Sequence, residues 1–98
     1  MKNFRTYQIA VEFYKRSSTV RISGHLKDQF QRASSSVVLN LAEGAGRFGV
    51  KDQKKFFSIA LGSLRECQAI LTLTELECGE VEAIGDKLAA HIYKLIKS

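Results

Sequence analysis

Four times along this chain, apolar residues recur at spacings of three and four, and in no block do they alternate with a period of two. That pattern places an apolar stripe along one side of an α-helix and leaves no half-buried strand. In the first block the stripe is Tyr7, Val11 and Tyr14, joined by Ala10, Phe13, Ser17 and Val20; in the second it is Leu26, Phe30, Ala33, Val37 and Leu41. The third block carries two adjacent stripes, Phe56, Ala60, Ser63, Cys67, Ile70 and Thr74 beside Phe57, Leu61, Leu64 and Leu71. The fourth, Val81, Ile84, Leu88, Ile92 and Leu95, ends at Lys94 and Lys97, where cations suit the negative end of a helix macrodipole. Proline is absent, so glycine separates the blocks, at Gly24, in the cluster from Gly44 to Gly49, and at Gly79. Four helices with short connections predict an all-α fold, an antiparallel up-and-down four-helix bundle with residues 1–98 as a single domain.

With 98 residues, 45% of them apolar and 26% charged, the chain has the composition of one globular domain. No apolar run approaches the roughly 18 residues of a membrane-spanning helix, and the opening MKNFRTYQIAVEFYKR is too charged for a signal peptide. The expectation is a cytoplasmic protein without a membrane partner. Cys67 and Cys78, eleven positions apart in what the pattern suggests is one helix, would lie about 16 Å apart, too far for a disulfide. They are expected to be reduced thiols.

The stretch Gly44-Ala45-Gly46-Arg47-Phe48-Gly49 has the G-x-G-x-x-G spacing of a dinucleotide-binding loop. Such a loop must leave a strand and open a helix within a βαβ unit. Here the preceding VVLNLAE continues the helical stripe through Val37 and Leu41, so the glycines are expected to end the second helix with a left-handed cap. Asp52 then lies near the positive end of the third helix. His25 and His91 have no Cys, Asp or Glu at metal-ligand spacing, and no nucleophile and base form a pair. No metal, no cofactor and no enzymatic activity are expected.

Charge is uneven. Residues 1–55 hold 11 Lys and Arg against 4 Asp and Glu, whereas residues 56–98 hold 4 against 6. The densest positive stretch is Arg47, Lys51, Lys54 and Lys55, with Arg65 further along the third helix. These five cations are the candidate nucleic-acid contacts, since such a patch attracts phosphate backbones without regard to sequence. The alternative is a solvated face that maintains solubility. Only Phe48 lies within the patch, which supports base stacking poorly. Apolar residues are also in surplus, with two stripes on the third helix and with Val38 and Ala45 beside the stripe of the second. Two readings stand, a protein interface or a central, more deeply buried helix pair.

Several residues are unusual for plain packing. Asn40, Glu43 and Arg47 share a helix face, Gly62 and Glu66 are spaced likewise, and Glu43 and Glu66 are each candidates to pair with Arg47. A glycine inside a long helix costs about 1 kcal/mol relative to alanine, which suggests that Gly62 admits a neighbouring helix. The run SSSVVLNLAEGAGR (34–47), followed by FFSIALGSLRE (56–66), resembles the signature of the four-helix bundle family named after the protein encoded in intervening sequences of bacterial large-subunit ribosomal RNA. That family also contains the accessory variability protein of diversity-generating retroelements.

The resemblance implies a non-enzymatic homopentamer, five bundles forming a barrel around a central channel. It further implies, for retroelement members, a basic surface that binds RNA or DNA and a contact with a reverse transcriptase. Carried onto this chain, Asn40, Glu43, Gly44, Gly46 and Arg47 form the signature of the second helix, and Gly62, Ser63 and Glu66 that of the third; most are expected to be structural. The family often has a proline just ahead of this asparagine, where the chain has Val38-Leu39, so a straighter second helix is implied. The resulting expectation is a nucleic-acid-binding accessory protein; the alternative is an assembly or scaffold protein whose basic face is incidental.

Overall fold

The structure, a computed structural model, describes residues 4–75 and 78–98. Lys2 and Glu77, both counted above, lie outside the described residues. Four helices follow one another, α1 (Arg5–Ser17), α2 (His25–Ala45), α3 (Val50–Thr74) and α4 (Gly79–Lys97), and no strand occurs among the described residues. Each helix packs closely on two others, α1 on α2 and α4, and α3 on α2 and α4, while among the described residues the backbones of the diagonal pairs stay further apart. The result is an up-and-down four-helix bundle measuring 39 × 22 × 21 Å. Its longest contact joins α2 and α3.

The expected stripes meet along the axis. Ala10, Phe13, Phe30, Ala33, Val37, Leu41, Ala60, Leu64, Cys67, Leu88 and Ile92 are all buried, so every helix contributes. On α1 the buried side runs through Ile9, Ala10 and Phe13, while Tyr7, Val11 and Tyr14 flank it and border a groove against Val38 and Leu39 of α2. On α3 the two stripes fuse into one broad band, with Phe57, Leu64 and Leu71 buried alongside Ala60, Cys67 and Ile70. By length and mean composition α3 could cross a membrane, although charged residues interrupt every apolar run in it well short of that length; here its apolar band lies in the bundle core.

Two large side chains seat on glycines. A Cβ on Gly44 would lie 2.7 Å from Cε1 of Phe57 and 3.1 Å from the Gln53 carbonyl oxygen, so only hydrogen fits there. A Cβ on Gly85 would lie 3.2 Å from Cε1 of Phe13, which draws α1 onto α4. Gly62, by contrast, is exposed and would place its Cβ in open space. The close helix approach expected at Gly62 therefore occurs at Gly44.

Other details differ from the sequence reading. Gly46 caps α2 with φ −84°, a right-handed conformation; the left-handed positions are Gly24, ahead of α2 with φ +69°, and Glu75, which ends α3 with φ +56°. The α2 terminus tightens through N–H bonds from Gly46 to Ala42 and Glu43 and from Arg47 to Gly44, which cap these carbonyls without a left-handed residue. Cys67 and Cys78 do not share a helix, because α3 ends at Thr74 and Cys78 immediately precedes α4. Both are free thiols. Ile22, which belonged to no stripe, is buried in the α1–α2 connection. Helix α2 is unbroken across Val38-Leu39.

Two outcomes follow from this packing. Gly44→Ala should lower stability by about 1–3 kcal/mol in urea unfolding, the usual cost of forcing extra volume into a tight contact. Burial, aided by the Glu66 carboxylate, pushes the Cys67 thiol up to about 12, whereas the unfolded thiol ionises near 9.0. The neutral thiol's contribution to stability is therefore complete below pH 9 and is lost as pH rises towards 12. Thiolate is the reactive form, so alkylation of the folded protein at pH 8 should modify half-buried Cys78 and spare Cys67 until unfolding, as peptide mass spectrometry would read out.

Candidate nucleic-acid interface

The corner between α2 and α3 is short and well tied. Gly46 donates to the carbonyls of Ala42 and Glu43, and Arg47 N–H donates to Gly44 at 3.1 Å. Across the corner, Gln53 Nε2 donates to the Arg47 carbonyl at 2.8 Å. Asp52 stands in the first turn of α3, where its charge suits the helix N-terminus.

Arg47 is held in place by this corner. Its guanidinium lies 4.7 Å from the Phe56 ring centroid, with Nη2 3.8 Å from Glu43 and Nε 3.7 Å from Asp52. Glu66 is not a partner, contrary to expectation: sixteen positions into α3, it lies about 24 Å along the axis from the corner. Arg65 is displaced for the same reason, and its guanidinium donates instead to Gln68 at 2.9 Å. Gln68 in turn reaches Asp86 of α4 at 3.3 Å.

The three lysines of the patch separate into two kinds. Lys51 and Lys55 are exposed, one helical turn apart, and make no ion pair among the described residues. They border a shallow groove of about 620 Å³ that also includes Gly49 and Asp52. Lys54 is half-buried, and its Nζ donates to the Ser98 carbonyl at 2.7 Å, so it fastens α3 to the end of α4. The sequence reading that placed Lys54 with its neighbours as an open cation is corrected by that bond.

The antiparallel path adds charge that sequence distance concealed. The last turn of α4 brings Lys94 and Lys97 to the same end of the bundle, and the first turn of α1 brings Arg5, with the Phe4 ring 6.2 Å from that of Phe57. This end therefore gathers Arg5, Arg47, Lys51, Lys54, Lys55, Lys94 and Lys97, opposed by Glu43 and Asp52. The opposite end is mixed: Arg16 pairs with Glu80 across α1 and α4, and Arg21 and Lys27 are offset by Asp28, Glu75 and Glu82. Lys94 and Lys97 were visible in the sequence as helix-terminal cations; their pairing with the corner required the up-and-down topology.

The remaining signature residues divide by face. Asn40 Nδ2 donates to the Ser36 carbonyl at 2.9 Å and to Ser36 Oγ at 3.0 Å, and Ser36 Oγ meets Ser63 Oγ at 2.8 Å, forming a polar rung between α2 and α3. Gly44 admits Phe57. Gly62 and Glu66 face outward, and so do the apolar Leu39, Ile59 and Leu73. His25 opens α2 and His91 is half-buried on α4; no group of three or more His, Cys, Asp or Glu that could hold a metal occurs among the described residues.

A bundle with this rung, this glycine seat and this corner matches the sequence model of the 23S rRNA-intervening sequence protein over residues 3–98. The chain belongs to that family. No curated protein and no solved structure gives a significant match. The residues that carried the resemblance thus fall into two classes in this chain: Asn40, Gly44 and Ser63 serve the α2–α3 contact within the bundle, while Gly62 and Glu66 are directed away from it.

The exposed setting of Arg47 sets the size of its contribution. Surface ion pairs are each worth about 0–1 kcal/mol, so Arg47→Ala should cost about 1 kcal/mol or less in chemical unfolding. Double-mutant cycles should find measurable coupling of Arg47 to Glu43 or Asp52 and none to Glu66 beyond experimental error, about 0.3–0.5 kcal/mol for independent sites.

Proposed function

We propose that this member of the 23S rRNA-intervening sequence family is a non-enzymatic, homo-oligomeric accessory protein that binds nucleic acid, RNA or DNA, through its basic end. The observation that carries this reading is the gathering of cations from α1, the α2–α3 corner and α4 at one end of the bundle, with Lys51 and Lys55 exposed and, among the described residues, free of ion pairs. Phosphate backbones answer such a field, and the attraction is electrostatic and blind to sequence. Self-association, a pentamer by family resemblance, would repeat the basic end several times and multiply weak contacts through avidity.

The outer face of the α2–α3 hairpin supports that association. Leu39 is 65% exposed and Leu73 69% exposed. A mid-helix glycine, Gly62, lies between Ile59 and Glu66 with open space where its Cβ would be. The surplus stripes therefore have two destinations: Val38 and Leu61 pack on the core, whereas these residues remain available to another copy. This second observation also favours a scaffold role, in which the assembly is the function and the charge incidental.

Lys51→Glu with Lys55→Glu separates the two readings. The parent should retain labelled structured RNA or duplex DNA at 50 mM salt and release it by 200 mM, each phosphate neutralised adding about 0.9 to the slope of log affinity against log salt on duplex DNA. The charge-reversed protein should bind neither ligand while keeping its helical signal. Light scattering should give a mass several times the 11.0 kDa of one chain for both proteins. A parent that assembles but binds no nucleic acid leaves the scaffold reading; a monomer removes the assembly.

A further inference from the structure

Among the described residues, Phe48 is the one large apolar side chain fully open to solvent, and it stands at the tip of the basic end. Its exposure is not that of a loose loop. The residues on either side are tied, Arg47 through its N–H to Gly44, its carbonyl to Gln53 and its guanidinium to Phe56, and Gly49 through its carbonyl to Gln53 N–H at 2.9 Å. A short turn between two helices is ordinarily served by polar or small residues. This one holds an aromatic ring in water between Gly46 and Gly49, with Val50 beside it, also largely exposed. No other aromatic ring among the described residues pairs with it, and its two aromatic neighbours in sequence are engaged elsewhere, Phe56 under Arg47 and Phe57 on Gly44.

Charge complementarity identifies what would cover the ring. On α3, Lys51 and Lys55 follow Phe48 at three and seven positions, and the groove they border begins at Gly49, next to the ring. A ligand that satisfies both features carries a flat apolar face within reach of closely spaced anionic groups. A single-stranded nucleic acid has this composition, phosphates along the strand with bases free to unstack, whereas in a duplex the base faces are occupied by one another. We propose that Phe48 is a stacking platform for an unpaired base, with the flanking phosphates lying along the Lys51–Lys55 groove. The proposal rests on the nucleic-acid reading above and adds a preference: single strands over duplexes, with little regard for base identity, since every base has a π-face.

The chain contains no tryptophan, so Phe48→Trp introduces a single tryptophan at the platform, excited selectively over the tyrosines. Anisotropy titrations at 50 mM salt would use a labelled 20-nucleotide single strand of mixed sequence, the corresponding hairpin duplex and an abasic strand of equal length. Phe48→Ala should weaken the base-bearing single strand roughly tenfold, within the range found when a stacking aromatic is removed. Its affinity for the duplex and the abasic strand should be unchanged, as should its mass by light scattering. Phe48→Trp should keep the parent's affinity, and its emission should be quenched by the mixed-sequence strand but not by the abasic one.

An equal loss on all three ligands, or no loss on any, overturns the platform while the parent's binding still supports the nucleic-acid reading. A parent that binds none of the ligands overturns both. Quenching that accompanies a drop in assembly mass assigns Phe48 to contact with a second copy. A blue shift of Phe48→Trp emission with phosphatidylglycerol vesicles, and no response to oligonucleotide, assigns it to an anionic bilayer. Either of these last outcomes overturns the proposal.

Discussion

The bundle depends on the seating of Phe57 against Gly44. Without a side chain at Gly44, the ring reaches the α2 backbone, and the two longest helices close on each other near the point where the chain turns. Everything at the basic end inherits its position from that contact. Phe4 packs beside Phe57, the corner tightens through Gln53, and Phe56, one residue earlier, is directed outward to lie beneath Arg47. The same device recurs at the α1–α4 contact, where Phe13 faces Gly85. Dispersion between closely apposed groups is individually weak but falls off steeply with separation, so a glycine under an aromatic ring fixes an interhelical distance more sharply than a run of leucines would.

Much of this could be read from the chain. Helix number, order and core residues follow from the 3-and-4 spacing, because a stripe such as Phe30, Ala33, Val37, Leu41 has only one way to leave water. Two failed readings were local, the cap at Gly46 and the helix assigned to Cys78; the others needed distances between elements. Gly62 and Gly44 are equally conspicuous in the sequence, yet only Gly44 faces Phe57, and which one does depends on the rotational setting of α2 against α3. Glu66 and Arg65 seemed near Arg47 when counted as a motif, but a helix converts sixteen residues into about 24 Å. Lys54 looked like Lys51 and Lys55 until the end of α4 arrived beside it. Lys94 and Lys97 joined the patch for the same reason, through folding and not through spacing.

Membership of the 23S rRNA-intervening sequence family gives the motif a second meaning. Asn40, Ser36 and Ser63 form a half-buried polar rung in an otherwise apolar contact; the Ser36–Ser63 bond crosses between the helices and is made in only one alignment, while Asn40 braces Ser36 from within α2. Gly62 and Glu66 do nothing comparable within one bundle. Gly62 costs helix stability, and the place where its Cβ would be is open space.

The separation of charge along the long axis would also govern how the molecule meets a polyanion. At 0.1 M ionic strength, fields decay over about 10 Å, whereas the bundle is 39 Å long. An approaching phosphate chain therefore senses one end of the molecule at a time. The mixed end, with its Arg16–Glu80 pair, presents little net field, while the end carrying Lys51, Lys55, Lys94 and Lys97 is pulled inward. On the proposed nucleic-acid reading, the resulting torque would turn the bundle before contact, so that encounter would be end-on, with the helices standing away from the strand like posts on a rail.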